Sequence, residues 1–554
     1  MRRAFAVLSA MMFACGGTAS PPRSTVAASG AHAVIYLNAV VHTFDPSRPA
    51  ATGLRIDGGR ITHLVDGDPP ADLTGRRVDL RGATVLPGLV DAHLHLRGIG
   101  TAAREIDLNG TVSAEQVAGR VREAAAAVPA GSWLRGRGWD QNDWQEQSFP
   151  THGLLDVAAP DHPVWLSRVD GHAVWLNARG LALSGITEAT PDPQGGEIVR
   201  DASGRPTGVL VDNAISLAEA QLPEPTPQEI RADYLRGAEL CARVGLTAVH
   251  DMGVSVAELE QLRALEAAGQ LDLRVWVYLS GDLDEVLPVL ADPAVTDGLV
   301  RVAGVKLFAD GALGSRGAAL LLPYDDRPDT SGLLLTAPDE LARQARAVHE
   351  SGRQVAIHAI GDRGNRIALD AIEQAEGADH TRLHRIEHAQ IVSPEDLPRF
   401  SRLGVVASMQ PTHATSDMPW AQARVGAARL GGGYAWRSMI DSGALVVFGS
   451  DAPVESENPW FGIHAAVTRQ DQSGNPEGGF FPAERVTLEE AIVGFTAAPA
   501  RAVGFDGGAL REGASADVTI VSEDPFAMAP EQIHAVHTLR TVVAGREVYV
   551  SRAP

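Results

Sequence analysis

The chain has 554 residues, 45% of them apolar and 21% charged. That length allows two or more packed domains, and the composition is globular and not that of a disordered chain. With 47 basic against 69 acidic residues the formal net charge is −22, which argues against nucleic acid or an anionic membrane surface as a partner.

The N-terminus "MRRAFAVLSAMMFACGG" places Arg2 and Arg3 before an apolar run from Ala4 to Ala14. The run is too short to span a bilayer and fits the apolar region of a signal peptide. It ends at Cys15-Gly16-Gly17 and a Ser/Pro/Ala-rich tether, a pattern that resembles a bacterial lipoprotein signal with Cys15 lipidated after cleavage. Residues 1–31 are therefore expected to be leader and tether of an exported protein. It would be lipid-anchored in the cell envelope or, without lipid, periplasmic or secreted. No later apolar stretch is long enough to cross a membrane. Cys241 is the other cysteine; with Cys15 lipidated no internal disulfide can form.

Residues 32–85 alternate β-branched side chains with Gly and Asp turns, as in "AVIYLNAVVHTF" and "GLRIDGGRITHLV". Residues 507–554 have the same character. The two ends are expected to pair into one small composite β-sandwich with a structural role. Between them, residues 86–506 alternate apolar strands with Ala/Leu/Glu/Arg-rich helices, the pattern of repeated βα units. Candidate strands fall in "ATVLPGLVDAH" and at 246–253, 273–279, 302–311, 354–362, 384–390, 405–413 and 444–453. Eight such units close a TIM (β/α)8 barrel, which the count favours over an open doubly wound sheet. Residues 97–240 are too many for a simple connection between the first two strands and read as an inserted subdomain. Insertions that follow barrel strands lie on the catalytic face, so this one is the expected source of substrate contacts.

His93 and His95 end the first strand two residues apart, so both imidazoles point to one face. Reading only the C-terminal ends of the later strands adds Lys306, His358, His388 and Asp451. Strands one, four, five, six and eight then contribute to one rim, which suits a two-metal hydrolase. Lys306 lies in an apolar run, where a cation is costly to bury. An ion pair with Asp310 or a Schiff-base role would also account for it, although a Schiff-base site has no need of four histidines and an aspartate. His172, Arg168, Asp170, Trp139 and Asp140 are candidate substrate contacts from the insertion. Asp310 is a further candidate, in the loop after Lys306, either touching substrate or orienting the lysine. His250 and Asp251 end the second strand and face the same mouth; Asp91 reads as structural.

The segments "LPGLVDAHLH", "GVKLFADGALGSRGA", "VAIHAIGDRGN", "RIEHAQ" and "GSDAPV" resemble the amidohydrolase superfamily, in its branch called amidohydrolase family three. That branch includes enzymes that deformylate N-substituted formamides. The resemblance implies one metal on His93, His95 and Asp451 and a second on His358 and His388, with Lys306 bridging them as a carbamate. Zinc is the default metal for His and carboxylate donors. The implied reaction is attack of metal-bound hydroxide on an N-acyl or N-formyl amine, with Asp451 as general acid and base. Cyclic amides, lactones or other esters are alternative substrates on the same site, and a non-catalytic binding lipoprotein on a barrel scaffold is the alternative outside enzymes. The expected partner is a small molecule; a homodimer is left open.

Overall fold

Eight short strands carry the apolar runs of the central region: β1 (Leu89–Leu94), β2 (Leu246–Val254), β3 (Arg274–Leu279), β4 (Val300–Phe308), β5 (Gln354–Ala359), β6 (Arg385–His388), β7 (Val406–Met409) and β8 (Val446–Phe448). The computed structural model describes residues 33–377 and 382–552; the leader with Arg2, Arg3 and Cys15 lies outside them. Each strand pairs in parallel with the next in chain order. Burial on both sides explains why they read as apolar runs and not as alternating ones. The first and last strands meet where Asp451 N–H donates to His93 O at 2.7 Å and His95 N–H donates to Ala452 O at 2.8 Å. Gly449 permits that approach, since a Cβ there would lie 2.5 Å from His93 N. The eight-stranded barrel is thus closed, as the strand count leads one to expect. Among the described residues, no helix is long and apolar enough to cross a membrane.

The two ends of the chain interleave beneath the barrel. Strand Val518–Val521 lies between Thr84–Pro87 and Thr538–Val543, antiparallel to both. Val34–Leu37, Gly53–Asp57, Arg60–Val65 and Arg76–Asp79 form a second sheet. Tyr36, Leu54, Ile56, Val85, Val518, Ile520 and Val542 fill the space between the two sheets. Thr84–Pro87 runs directly into β1, so this sandwich sets the foot of the strand that carries His93 and His95.

The insertion builds its own six-stranded sheet within residues 106–212. This is tighter than 97–240, because helices Leu96–Ala102 and Pro227–Arg243 belong to the barrel wall and pack on each other. A Cβ at Gly237 would lie 2.2 Å from Leu96 O, so the crossing admits only glycine. Trp139, offered by the sequence as a substrate contact, ends strand Leu134–Trp139 and is fully buried in the insertion's core. Its ring packs 6.0 Å from Trp144 and 6.1 Å from Trp175, and its Nε1–H donates to Leu166 O at 2.8 Å. It supports the subdomain and does not reach the cavity. We predict that Trp139→Ala destabilises the insertion by about 3–5 kcal/mol, read as faster amide hydrogen exchange in residues 134–139 and 164–176. Unchanged exchange there would place the ring outside the core.

Candidate metal centre

The centre forms where the strand ends turn away from the barrel axis. His388, Ala389 and Asp451 have φ of 74°, 42° and 60°, a left-handed conformation that non-glycine residues adopt at a cost of about 1–3 kcal/mol each. The surrounding hydrogen bonds hold it. Asp91 accepts from His93 N–H at 3.0 Å and Ser450 N–H at 3.1 Å, fixing β1 against the end of β8. Its role is therefore structural, as its place in the sequence suggests.

Each histidine is oriented by the nitrogen it does not present. His93 Nδ1 donates to Glu387 Oε2 at 2.6 Å and His95 Nδ1 donates to Met252 O at 2.7 Å. Both therefore turn an Nε2 lone pair inward, 3.3 and 3.2 Å from Asp451 Oδ1. His388 Nδ1 donates to Gln410 Oε1 at 2.9 Å, which frees its Nε2. His358 Nε2 faces Gly311 O at 3.5 Å, which leaves Nδ1 as its basic nitrogen. The rings of His93 and His358 lie 4.8 and 4.5 Å from that of His388. His93, His388 and Asp451 offer donor atoms within 4.8 Å of one another. A set of buried lone pairs and one carboxylate, each imidazole fixed by an outer partner, is what a borderline divalent cation requires.

Electrostatics favour the same state. Burial holds the imidazoles of His358 and His388 well below the usual histidine range, so they are neutral donors. Burial pushes the Asp451 carboxyl up and only protonated His93, His95 and His388 would pull it well below the usual range, so with these imidazoles neutral the carboxylate calls for a cation. Lys306 is 3% exposed, and burial, opposed by Glu387 and Asp451, brings its amine down to about 8. Its Nζ lies 3.4 Å from His93 Nε2. Asp310 is not its partner and does not line the cavity. It is fully buried and accepts N–H donors from Ala319, Ile360 and Gly361 at 2.8–2.9 Å, which ties the loop after β4 to the end of β5. A substrate has no free oxygen to meet there.

Two adjoining cavities, of about 480 and 320 Å3, meet at Asp170, His172, His358, His388 and Asp451. Lys306 and His95 line the first; Arg168, Asp140 and His413 line the second. Arg168 is itself held, pairing with Asp140 and Asp170 and donating to Gln141 Oε1. His172 donates from Nδ1 to Asp212 at 2.6 Å, and its ring lies 5.1 Å from that of His358. Sequence reasoning missed Asp212, 40 residues away on the next-but-one strand of the insertion. It also missed Glu387, although the signal was present: Arg385 and Glu387 are opposite charges two residues apart in a buried strand, hence on one face.

A second cluster, His349, Glu376 and His384, lies at the opposite end of the barrel. Val355 N–H donates to His384 Nδ1 at 2.9 Å, so Nε2 carries the ring proton, 3.0 Å from His349 Nδ1. A metal on that Nε2 would require an imidazolate; the cluster is a hydrogen-bonded brace.

Glu387 is the outer partner whose loss tests the centre most directly. We predict that Glu387→Gln weakens divalent-metal affinity by about 10–100-fold, measured by competition with a chromophoric chelator. Wild-type affinity in a folded variant would show that the His93–Glu387 contact does not tune the site.

The Amidohydrolase family matches residues 76–549. YtcJ of Bacillus subtilis is 34% identical over 482 residues, covering 85% of this chain and 90% of that protein. N-substituted formamide deformylase of Arthrobacter pascens is 29% identical over 541 residues, covering 92% and 97%. The crystal structure of an uncharacterized metal-dependent hydrolase from Pyrococcus horikoshii superposes with a TM-score of 0.73 at 30% identity, covering 90% of this chain and 99% of that one. Barrel, rim and relatives agree: this chain belongs to the amidohydrolase family of metal-dependent hydrolases that act on carbon–nitrogen bonds.

Proposed function

We propose that the protein hydrolyses the C–N bond of small N-acyl or N-formyl amines, releasing an acid and an amine. The observation that carries this reading is the convergence of His93 Nε2 and His95 Nε2 on Asp451 Oδ1, within 3.3 Å, at the meeting point of two cavities. The likeness to a formamide deformylase over nearly the whole chain supports the substrate class.

His93, His95 and Asp451 would hold one divalent ion, zinc by their chemistry, and His358 and His388 a second. Bound there, such ions acidify water and polarise the amide carbonyl. Asp451 Oδ2 lies 4.0 Å from His388 Nδ1 and 3.8 Å from His413 Nε2, facing the second cavity. That oxygen can take a proton from the attacking water and return it to the departing amine. Burial pulls the His172 imidazole down, but Asp212 and Asp170 outweigh it and raise it above the usual histidine range. With Nδ1–H on Asp212, a protonated His172 keeps Nε2–H as a donor for the carbonyl oxygen as negative charge develops on it. Burial lowers the Lys306 amine to about 8, so a far larger share of it is in the neutral form a carbamate requires than for a free lysine. Nζ adds to carbon dioxide, one N–C bond forms, one proton leaves, and an anionic oxygen donor results. The leader sequence supports export and a lipid anchor at Cys15.

Metal removal tests the reading. The purified protein is expected to carry divalent metal. Chelation should abolish hydrolysis of N-formyl and N-acyl amines, and one added divalent metal should restore it. Asp451→Asn should lower kcat by about 10²–10⁴-fold. Activity that survives complete metal removal, or is confined to lactones and esters, would overturn the proposal.

A further inference from the structure

The two cavities differ in charge. The second is lined by Asp140, Asp143, Asp417 and Glu455, and the guanidinium among its lining residues, Arg168, is already paired twice. An anion entering there finds no free cation, only the paired Arg168 among acidic side chains, of which burial pushes Asp143, Asp417 and Glu455 up. The first cavity sets the cations Arg97, Arg135, Arg137 and Lys306 among the carboxylates of Glu105, Asp170, Asp251, Glu258 and Asp451. Arg97 pairs with Glu258 and Arg135 with Glu105, so their charges are met within the wall.

Arg137 is different. Its Nη2 donates to Val169 O at 2.7 Å and its Nε to Pro453 O at 3.4 Å, two backbone carbonyls that fix the guanidinium plane. It makes no ion pair among the described residues, Nη1 has no hydrogen-bond partner among them, and the side chain lines the first cavity. Burial works against its charge, while Asp451, Asp170 and Glu105 favour it only from a distance. A metal held by Asp451 would claim that carboxylate's charge and leave Arg137 less compensated. A half-buried guanidinium held rigid by two carbonyls, with no carboxylate in direct contact, favours a ligand that supplies the counter-charge. Its place is set by Pro453, two residues beyond Asp451, so the ligand's anion would lie close to the reacting bond.

Resting on the reading that an amide binds at this centre, we infer that Arg137 anchors a carboxylate of the substrate. The amide cleaved here is then one that carries a carboxylate near its scissile bond, with its uncharged or cationic end in the acidic cavity. One free guanidinium edge matches one singly charged carboxylate.

The test uses two ketones that cannot be hydrolysed. Levulinate is the carbon isostere of N-acetylglycine, and methyl propyl ketone is the same chain without the carboxylate. Titrated calorimetrically into the metal-loaded enzyme, levulinate should bind at least about ten-fold tighter, and added salt should erode the difference. Arg137→Gln should abolish the preference, and Arg137→Lys, which keeps the charge but loses the planar fork, should retain part of it. Metal content and thermal midpoint of each variant are measured alongside, and the wild-type salt dependence stands even if a variant fails to fold. Equal binding of the two ketones, no binding of levulinate, or a preference that survives in folded Arg137→Gln would overturn the inference. Turnover of N-acetylglycine against N-ethylacetamide separates the two proposals. Loss of turnover of both with the levulinate preference intact removes the hydrolytic reading and leaves the anchor standing.

Discussion

A buried ion pair in the middle of the barrel governs everything built above it. Arg385 and Glu387 are both fully buried on β6 and face each other. Arg385 also donates to Ala92 O at 2.7 Å, to Ser408 Oγ at 2.7 Å and to His250 Nδ1 at 2.9 Å, and its guanidinium lies 5.0 Å from the Tyr278 ring centroid. One side chain thus links β6 to β1, β2, β3 and β7. Burying such a pair gains little stability against an apolar core, but breaking it leaves a charge stranded at a cost of about 3–5 kcal/mol. What the pair provides is position. Glu387, held by Arg385, fixes the tautomer and angle of His93, and His93 in turn sets the distance to Asp451 and Lys306. His250, which the sequence places near the mouth, acts at this deeper level, with burial and Arg385 keeping it neutral.

Much of this was legible in the sequence because strand periodicity is simple. A histidine pair at spacing two and polar residues at the ends of apolar runs have one reading once eight strands are counted. That reasoning brings His93, His95, Lys306, His358, His388 and Asp451 to one rim, and the structure places them there together. The insertion was not legible in the same way. Its strand order puts Val164–Arg168 between Leu134–Trp139 and Ala173–Leu176, and no local pattern states which residues then face the barrel mouth. Trp139, which follows Gly136 and Gly138, is offered by the sequence as a substrate contact and is a core residue. Arg137, two positions earlier, faces the cavity. Asp310 misleads for another reason: a carboxylate beside a catalytic strand can serve substrate or backbone, and only the three N–H donors around it decide.

The site is shared between two structures with different tolerances. The barrel contributes ligands on short strands whose backbone cannot move without breaking the parallel register. The insertion contributes His172, Asp170, Arg168 and Arg137 from a sheet with its own aromatic core. The metal-ligand candidates and much of the cavity wall are therefore carried by separately packed units, joined through contacts such as Arg137 on Pro453 and Arg168 against the backbone of Gly314, where a Cβ would come within 3.0 Å. Substitutions within the insertion can redirect the cavity while the ligands stay in register.

The interleaved termini have a consequence for how the molecule comes into being. The strand that feeds β1 is completed on one side by Val518–Val521, which is in turn completed by Thr538–Val543. Leu89 N–H donates to Thr519 Oγ1, and Thr541 Oγ1 donates to Ala242 O at the foot of β2. The strand that seats β1 therefore cannot find its sandwich partners until residues 518–543 have been made, long after β1 and β2. His93 and His95 are made long before Asp451 and the strands that seat β1, so the centre cannot be complete until these distant segments have joined them.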